Sequence, residues 1–286
     1  MEFTYFQAVL TGLIQGVTEL FPISSLGHAV LVPAWIGGSW STFTTNPNSP
    51  YLAVTVALHA ASAVALFLVF RKRWYELLGG AYNSLRGKKS NAAAVFWRVF
   101  LATIPVALLG FIFEKKLREI FASPLAAASF LTINGLLLLS AERLTRRSHQ
   151  HYKLEDSNAQ IVEHLSIPAA MTVGLAQSLA LLSGISRFGV SMSAGLLRKL
   201  SHSTASDFAF LLALPVIAGA AFLKLPDLFA PEYKSILGAI AAGSLVSFFA
   251  TYASVTFLVK WFKTKTLYPF AIYCLVIGIA SVIRFA

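Results

Sequence analysis

Six stretches of the chain, 51–70, 95–113, 124–141, 208–223, 236–259 and 267–283, are almost uninterruptedly apolar. Their lengths lie near the roughly 17–25 helical residues that cross a hydrocarbon core. Alternation with a period of two is absent, so the segments predict helices. Within lipid every backbone N–H and C=O needs an internal partner, which leaves helices or closed barrels. Two further apolar stretches, 6–36 and 167–197, are broken in the middle by polar, turn-prone clusters, FPISSLGH at 21–28 and SGISRFG at 183–189. Each half is too short to span comfortably, and the pattern predicts two re-entrant helical hairpins.

The two hairpins match one another. At an offset of 162, residues 12–27 and 174–189 share Gly12/Gly174, Leu13/Leu175, Gln15/Gln177, Leu20/Leu182, Ile23/Ile185, Ser24/Ser186 and Gly27/Gly189. Shared Gly, Gln and Ser at fixed spacing indicate an internal duplication, with one repeat over about 1–141 and the second over about 167–286. Each repeat holds one hairpin and three spans. Three crossings are odd, so the second copy is expected upside down relative to the first, bringing two broken helices together near the midplane. The expected fold is thus an all-α polytopic membrane protein, one integral-membrane domain over 1–286, with six transmembrane helices and two re-entrant hairpins in an inverted-topology repeat.

Composition agrees with this reading. Of 286 residues 57% are apolar and only 12% charged, with a mean hydropathy of +0.70, against about 25% charged in soluble domains. The first residues, MEFTY, lack the basic stretch of a cleavable signal peptide, so the first apolar segment is expected to stay. The net charge of +11 is clustered around residues 71–98, 143–153 and 260–265. Trp74, Trp97 and Trp261 adjoin these clusters as interfacial aromatics do, which argues for anionic headgroups and against nucleic acid. Placing the loop after Phe70 in the cytoplasm puts 142–166 and 260–266 there too, with 37–50, 114–123 and 225–235 outside. The first hairpin then enters from outside and the second from the cytoplasm. A lone cysteine, Cys274, excludes an intrachain disulfide and multi-Cys metal motifs.

Ionisable groups inside the apolar hairpins carry the chemical information, because a charge at the bilayer centre costs about 2.5–3.5 kcal/mol even on insertion scales. They are Glu19, His28 and Arg187. Gln15 and Glu19 lie four apart on one helix face and could hold a cation, orient a water or tie helices as a buried polar pair. After the break at Pro22, Ser24 is a candidate N-cap, with Ser25 and His28 on the first turn of the outgoing half-helix. A half-helix N-terminus beside a hydroxyl and an imidazole suits an anion such as phosphate. The second hairpin supplies Gly184, Ser186, Arg187, Gly189 and Ser191. Arg187 offers a permanently charged fork, and the glycines allow backbone N–H groups to approach closely.

Other polar residues read as structural. His59, mid-span, could line the cavity, but the expectation is an interhelical hydrogen bond. His149, His151, His164 and His202 are expected to be solvated at loops and helix ends, with no metal-site spacing. Gln177 mirrors Gln15 but has Leu181 where the first repeat has Glu19, so it is expected to pack or hydrogen-bond structurally. Asp207 is expected at a helix start.

At these residues the sequence resembles the bacterial undecaprenyl-diphosphate phosphatase family of the BacA/UppP type over nearly its whole length. The first family signature appears as QGVTELFPISSLGH from Gln15 to His28. The second, PGxSRSxxT in the family, appears as SGISRFGVS from Ser183 to Ser191, followed by FAFLLALPVIAGA from Phe208 to Ala220. Ser183, Phe188 and Ser191 depart from the pattern. The Phe188 change is expected to remove a phosphate contact and alter substrate handling. The resemblance implies hydrolysis of undecaprenyl diphosphate to the monophosphate carrier lipid for peptidoglycan synthesis, in the bacterial plasma membrane, with the site open to the periplasmic side. It also implies phosphoryl transfer with Glu19, Ser25, His28 and Arg187 as catalytic residues. Gln15, Ser24, Gly184, Ser186, Arg187, Gly189 and Ser191 would bind the substrate. Mg²⁺ or Ca²⁺ would sit on Glu19 with Gln15, since hard cations take oxygen ligands. Ser25 is the expected nucleophile with His28 as its base; attack by His28 or by an activated water is not separated from this by sequence. A polyprenyl-phosphate flippase using the same anion site is the competing class. The expected partners are the lipid diphosphate and membrane lipids; oligomeric state is open, a homodimer included.

Overall fold

Twelve α-helices make up the described residues of the computed structural model, which are 3–46, 49–113, 123–146, 157–224, 226, 228 and 230–286. No strand occurs among them. The first hairpin is α1 (Tyr5–Thr18) and α2 (Ser25–Ile36), followed by a short α3 (Gly38–Thr45) and three long helices, α4 (Tyr51–Ser84), α5 (Asn91–Ile112) and α6 (Pro124–Arg146). A short α7 (Ser157–His164) leads into the second hairpin, α8 (Ile167–Gln177), a 3₁₀ turn (Ser178–Leu181) and α9 (Arg187–Leu197). Helices α10 (His202–Lys224), α11 (Leu237–Trp261) and α12 (Tyr268–Phe285) complete the chain. All six predicted spans are present: α4, α5, α6, α10, α11 and α12 are long and apolar enough to cross a membrane. This is a multi-pass, all-α membrane protein.

Both hairpins break where the polar clusters interrupt the apolar pattern, and the same device caps each outgoing half-helix. Ser24 accepts from Gly27 N at 3.2 Å, and its counterpart Ser186 accepts from Gly189 N at 3.1 Å. The caps satisfy amides that a helix start otherwise leaves without partners.

The two halves pack alike. α1 lies against α11, and its counterpart α8 lies against α5, so each incoming half-helix docks on a span of the opposite half. Matched glycines make both crossings close: a Cβ on Gly12 would collide with Gly243 O, and one on Gly174 with Ala102 O. The third spans of the two halves, α6 and α12, pack on each other. Between the halves runs a core that includes Leu66, Leu131, Phe188, Phe210, Leu258 and Phe262, all at most 1% exposed.

Several expectations change. The basic residues Arg71, Lys72 and Arg73 are not in a loop: α4 continues through them to Ser84 and is about 50 Å long at 1.5 Å per residue. Nothing there breaks a helix, and long cationic side chains reach the interface from a helix as well as from a loop. Asp207 does not start α10. It lies within that helix and binds Arg73 at 2.7 Å, while Ser157 donates to it at 2.7 Å and Ser201 takes the capping role through Thr204 N. His202 is not a solvated residue; its Nε2 meets the buried Glu142 carboxylate at 2.9 Å, which also accepts from Leu267 N. Lys115, Lys116, Arg118, Arg147, His149, His151 and Lys153 lie outside the described residues.

Candidate functional site

The two breaks meet and are pinned together. Gly184 N donates to Ser24 Oγ at 3.2 Å, and Ser186 Oγ donates to Phe21 O at 3.1 Å. Asn134 of α6 binds both loops through one amide, donating to Pro22 O and accepting from Ser186 N, each at 3.0 Å. Gly184 has φ +111°, and a Cβ there would strike Ala127 O. Ser24 takes a left-handed φ of +68°, a conformation sparsely used by residues with a side chain. It is held there by its two amide donors. Gly27 lies on Gly184 and Gly189 on Pro22, so mutual close approach requires small residues at the two matched glycines.

Glu19 caps α1 and is 5% exposed. Its Oε2 accepts from Gln15 Nε2 at 2.8 Å and from Ser25 Oγ in a short hydrogen bond, and it lies 3.1 Å from His59 Nε2. The predicted Gln15–Glu19 face therefore exists. His59 does make an interhelical bond, and its partner is the site carboxylate itself. The Ser25 hydroxyl is on Glu19 rather than on His28. His28 Nδ1 turns back to Ser24 O at 2.7 Å, the contact open to an imidazole in the first helical turn. Its Nε2 meets Tyr273 OH at 2.8 Å, with the rings stacked 5.6 Å apart. A carbonyl only accepts, so Nδ1 is the donor and Nε2 receives the Tyr273 proton.

A small cavity lies between the breaks, lined by Glu19, Ser24, Ser25, Leu26, Ala180, Ile185, Ser186 and Arg187. Both α2 and α9 begin at its wall, and the first amides of a helix have no acceptor within it. Two half-helix dipoles therefore add to the cationic field of Arg187. Arg187 Nη1 is buried without a hydrogen-bond partner among the described residues. Such a donor is costly to leave unmet, and an anion in the cavity would meet it.

Of the predicted site residues, Glu19, Ser24, Ser25, Ser186 and Arg187 line the cavity. Gln15 and His28 stand behind its wall, on Glu19 and on Ser24. The amides of Gly184 and Gly189 are spent on the two serines. Ser191 faces Gln177 at 3.5 Å, a structural hydrogen bond of the kind expected for Gln177. Phe188 does not face the cavity either. It is fully buried, 4.5 Å from the Phe210 ring and 5.7 Å from that of Phe262, so no phosphate contact is lost at this position.

His59 and Tyr273 were not marked as site residues by sequence. A histidine in an apolar span is itself a signal, whereas a tyrosine in α12 carries none. The donor set fits a hard divalent cation. Gln15 Oε1 is a buried acceptor without a partner, and Glu19 Oε1 meets no donor among the described residues. With no cluster of three His, Cys, Asp or Glu among the described residues, water and phosphate oxygens would complete the shell.

A family model described as bacitracin resistance protein BacA matches residues 8–280. Among curated proteins, the chain is 42% identical to undecaprenyl-diphosphatase 2 of Frankia alni, over 100% of this chain and 99% of that protein. It is 43% identical to undecaprenyl-diphosphatase of Mycolicibacterium paratuberculosis, covering 99% and 98%, and 40% identical to undecaprenyl-diphosphatase 2 of Chromobacterium violaceum, covering 97% of each.

Proposed function

The chain belongs to the bacitracin resistance protein BacA family, and from that premise we propose that it hydrolyses undecaprenyl diphosphate to undecaprenyl phosphate and inorganic phosphate. The observation that carries the reading is one cavity lined both by the hydrogen-bonded Ser25–Glu19 pair and by Arg187, whose Nη1 is buried without a partner among the described residues. Phosphoryl transfer needs an aligned nucleophile and compensation of charge on the phosphoryl oxygens. Ser25 beside Glu19 and Arg187 beside the two helix starts support this reading.

Arg187 and the N-termini of α2 and α9 receive the diphosphate. Ser25 Oγ attacks the terminal phosphorus, and its proton passes to the Glu19 carboxylate. The new O–P bond forms as the bridging P–O bond breaks and undecaprenyl phosphate leaves with the bond's electron pair. Water then cleaves the phosphoserine. Its hydroxide goes to phosphorus, its remaining proton returns to Ser25 Oγ, and Glu19 releases the first proton to solvent. Glu19 rather than His28 is the proton acceptor in this reading, since both ring nitrogens of His28 have other partners. His28 acts by gripping the Ser24 carbonyl and so fixing the break. Mg²⁺ or Ca²⁺ would be held by Glu19 and Gln15 and would neutralise phosphoryl charge when bound.

The site is proposed to open to the periplasmic side of the bacterial plasma membrane. The distribution of basic residues, which makes the first hairpin enter from outside, supports this. A flippase would need the anion site but not a hydroxyl hydrogen-bonded to a buried carboxylate. The test is phosphate release from undecaprenyl diphosphate by the purified protein in detergent, with and without EDTA, beside Arg187→Ala. Release that is lost in the variant supports the reading, and loss with EDTA that added Mg²⁺ or Ca²⁺ restores supports the cation. Absence of release from folded protein supplied with either ion overturns the phosphatase.

A further inference from the structure

The buried polar groups around the cavity are not all accounted for by the reaction above. His59 touches the site carboxylate from α4, an intact span outside both hairpins. Its ring is fixed from two sides, with Nδ1 donating to Thr55 O one turn back at 2.7 Å and Nε2 on Glu19 Oε2 at 3.1 Å. The helix carrying it is fixed as well. Ser62 of α4 pairs with Ser247 of α11 at 3.1 Å and accepts from Thr251 at 2.9 Å, and Ser247 Oγ donates to Leu58 O at 3.2 Å. That same Ser247 is where α1 leans on α11: a Cβ on Gly16 would collide with Ser247 O. The backbone beside His59 and the turn before Glu19 thus rest on one residue of a third helix. Their spacing is set by packed spans and not by the break loop.

We infer that His59 is a positioning residue for the phosphoryl-transfer step, holding the Glu19 carboxylate so that one of its oxygens stays on Ser25. The inference rests on the phosphatase reading. Glu19 ends a helix at the start of an irregular segment, and its own backbone leaves the carboxylate free to rotate. Gln15 restrains it from within α1. His59 restrains it from outside the hairpin, so entry of a highly charged diphosphate beside Arg187 does not pull the carboxylate away from the hydroxyl. Catalytic geometry tolerates little error, and a displacement of about 1 Å can cost a hundredfold in rate.

The test is steady-state phosphate release from undecaprenyl diphosphate in detergent by wild type, His59→Ala, His59→Phe, His59→Gln and Ser25→Ala, with thermal melting of each. A glutamine amide places an N–H near the position of Nε2. His59→Ala and His59→Phe are expected to lower kcat at least about thirtyfold with KM within about threefold, because binding is left intact and only alignment is lost. His59→Gln is expected to recover kcat to within about fivefold of wild type, as one donor is restored. The Phe variant keeps the ring's bulk and carries the comparison if the Ala variant is too unstable to purify. Ser25→Ala inactive with His59→Phe near wild type would overturn the inference alone, as would equal losses in the Gln and Phe variants. Ser25→Ala active would remove Ser25 from the reaction and overturn the inference, whereas wild type inert would overturn the phosphatase reading and the inference with it.

Discussion

The two hairpins share a frame and differ in what they carry on it. Both begin with a half-helix bearing a glycine that crosses a span of the other half, both break at a cluster ending in serine, and both restart on that serine as a cap. Within this frame Glu19 corresponds to Leu181, and Ser25 corresponds to Arg187. The first residue of the outgoing half-helix is a hydroxyl in one copy and a guanidinium in the other, and both line one cavity. The two copies supply a pair of converging helix starts; in the proposed reaction the same position is the nucleophile in one and the anion receptor in the other. Gln15 and Gln177 show the same split, one serving the carboxylate and the other a buried serine.

The sharpest way to break this comparison is to exchange the distinguishing residues. Glu19→Leu, Ser25→Ala and Arg187→Ala are each expected to reduce phosphate release at least about a hundredfold in a protein that still folds, a loss of roughly 2.7 kcal/mol or more of transition-state stabilisation. Near-normal turnover in any of them would remove that residue from the reaction. Next come the shared glycines. Gly12→Ala and Gly174→Ala should each destabilise the fold by about 1–3 kcal/mol, since overpacked contacts force backbone shifts. Denaturation in detergent that finds one costly and the other neutral would deny the halves a common packing scheme. Tyr273→Phe should reduce turnover only about fivefold, as one net hydrogen bond is worth about 0.5–1.5 kcal/mol. A loss as large as that of Arg187→Ala would give the tyrosine a direct part in the chemistry. Smallest of all on catalysis, Phe188→Ser should leave KM within about threefold and lower the melting temperature, because a buried aromatic side chain is removed from the core. A marked fall in KM would place position 188 in the cavity after all.

Spans and breaks were legible because length and polarity are properties of a segment. The caps at Ser24 and Ser186 were legible because a cap is local. Glu19, Ser25 and Arg187 stood out because an ionisable or polar group in an apolar hairpin must have a reason to be there. What was not legible depends on contacts distant in sequence. Tyr273 reaches His28 across 245 residues and His202 reaches Glu142 across 60. The Ser25–Glu19 pairing, although only six residues long in sequence, depends on how the break turns. Phe188 misleads for a related reason. A motif shows which residue changed but not which side of the helix it occupies, and here that side faces Phe210 and Phe262.

The docking of α1 on α11 also bears on how the protein is made. The helix that carries Gln15 and ends at Glu19 leaves the ribosome well before α11, the span against which it packs. Roughly 230 residues separate them, so at about 5–20 residues per second α1 waits some ten to fifty seconds for its neighbour. Until then Gly12 and Gly16 have no surface to meet, and an acidic residue within an apolar hairpin has lost part of its enclosure. Assembly of the site therefore waits for α11, and a nascent chain arrested before it would hold Ser25 and Glu19 but not the helix against which α1 packs.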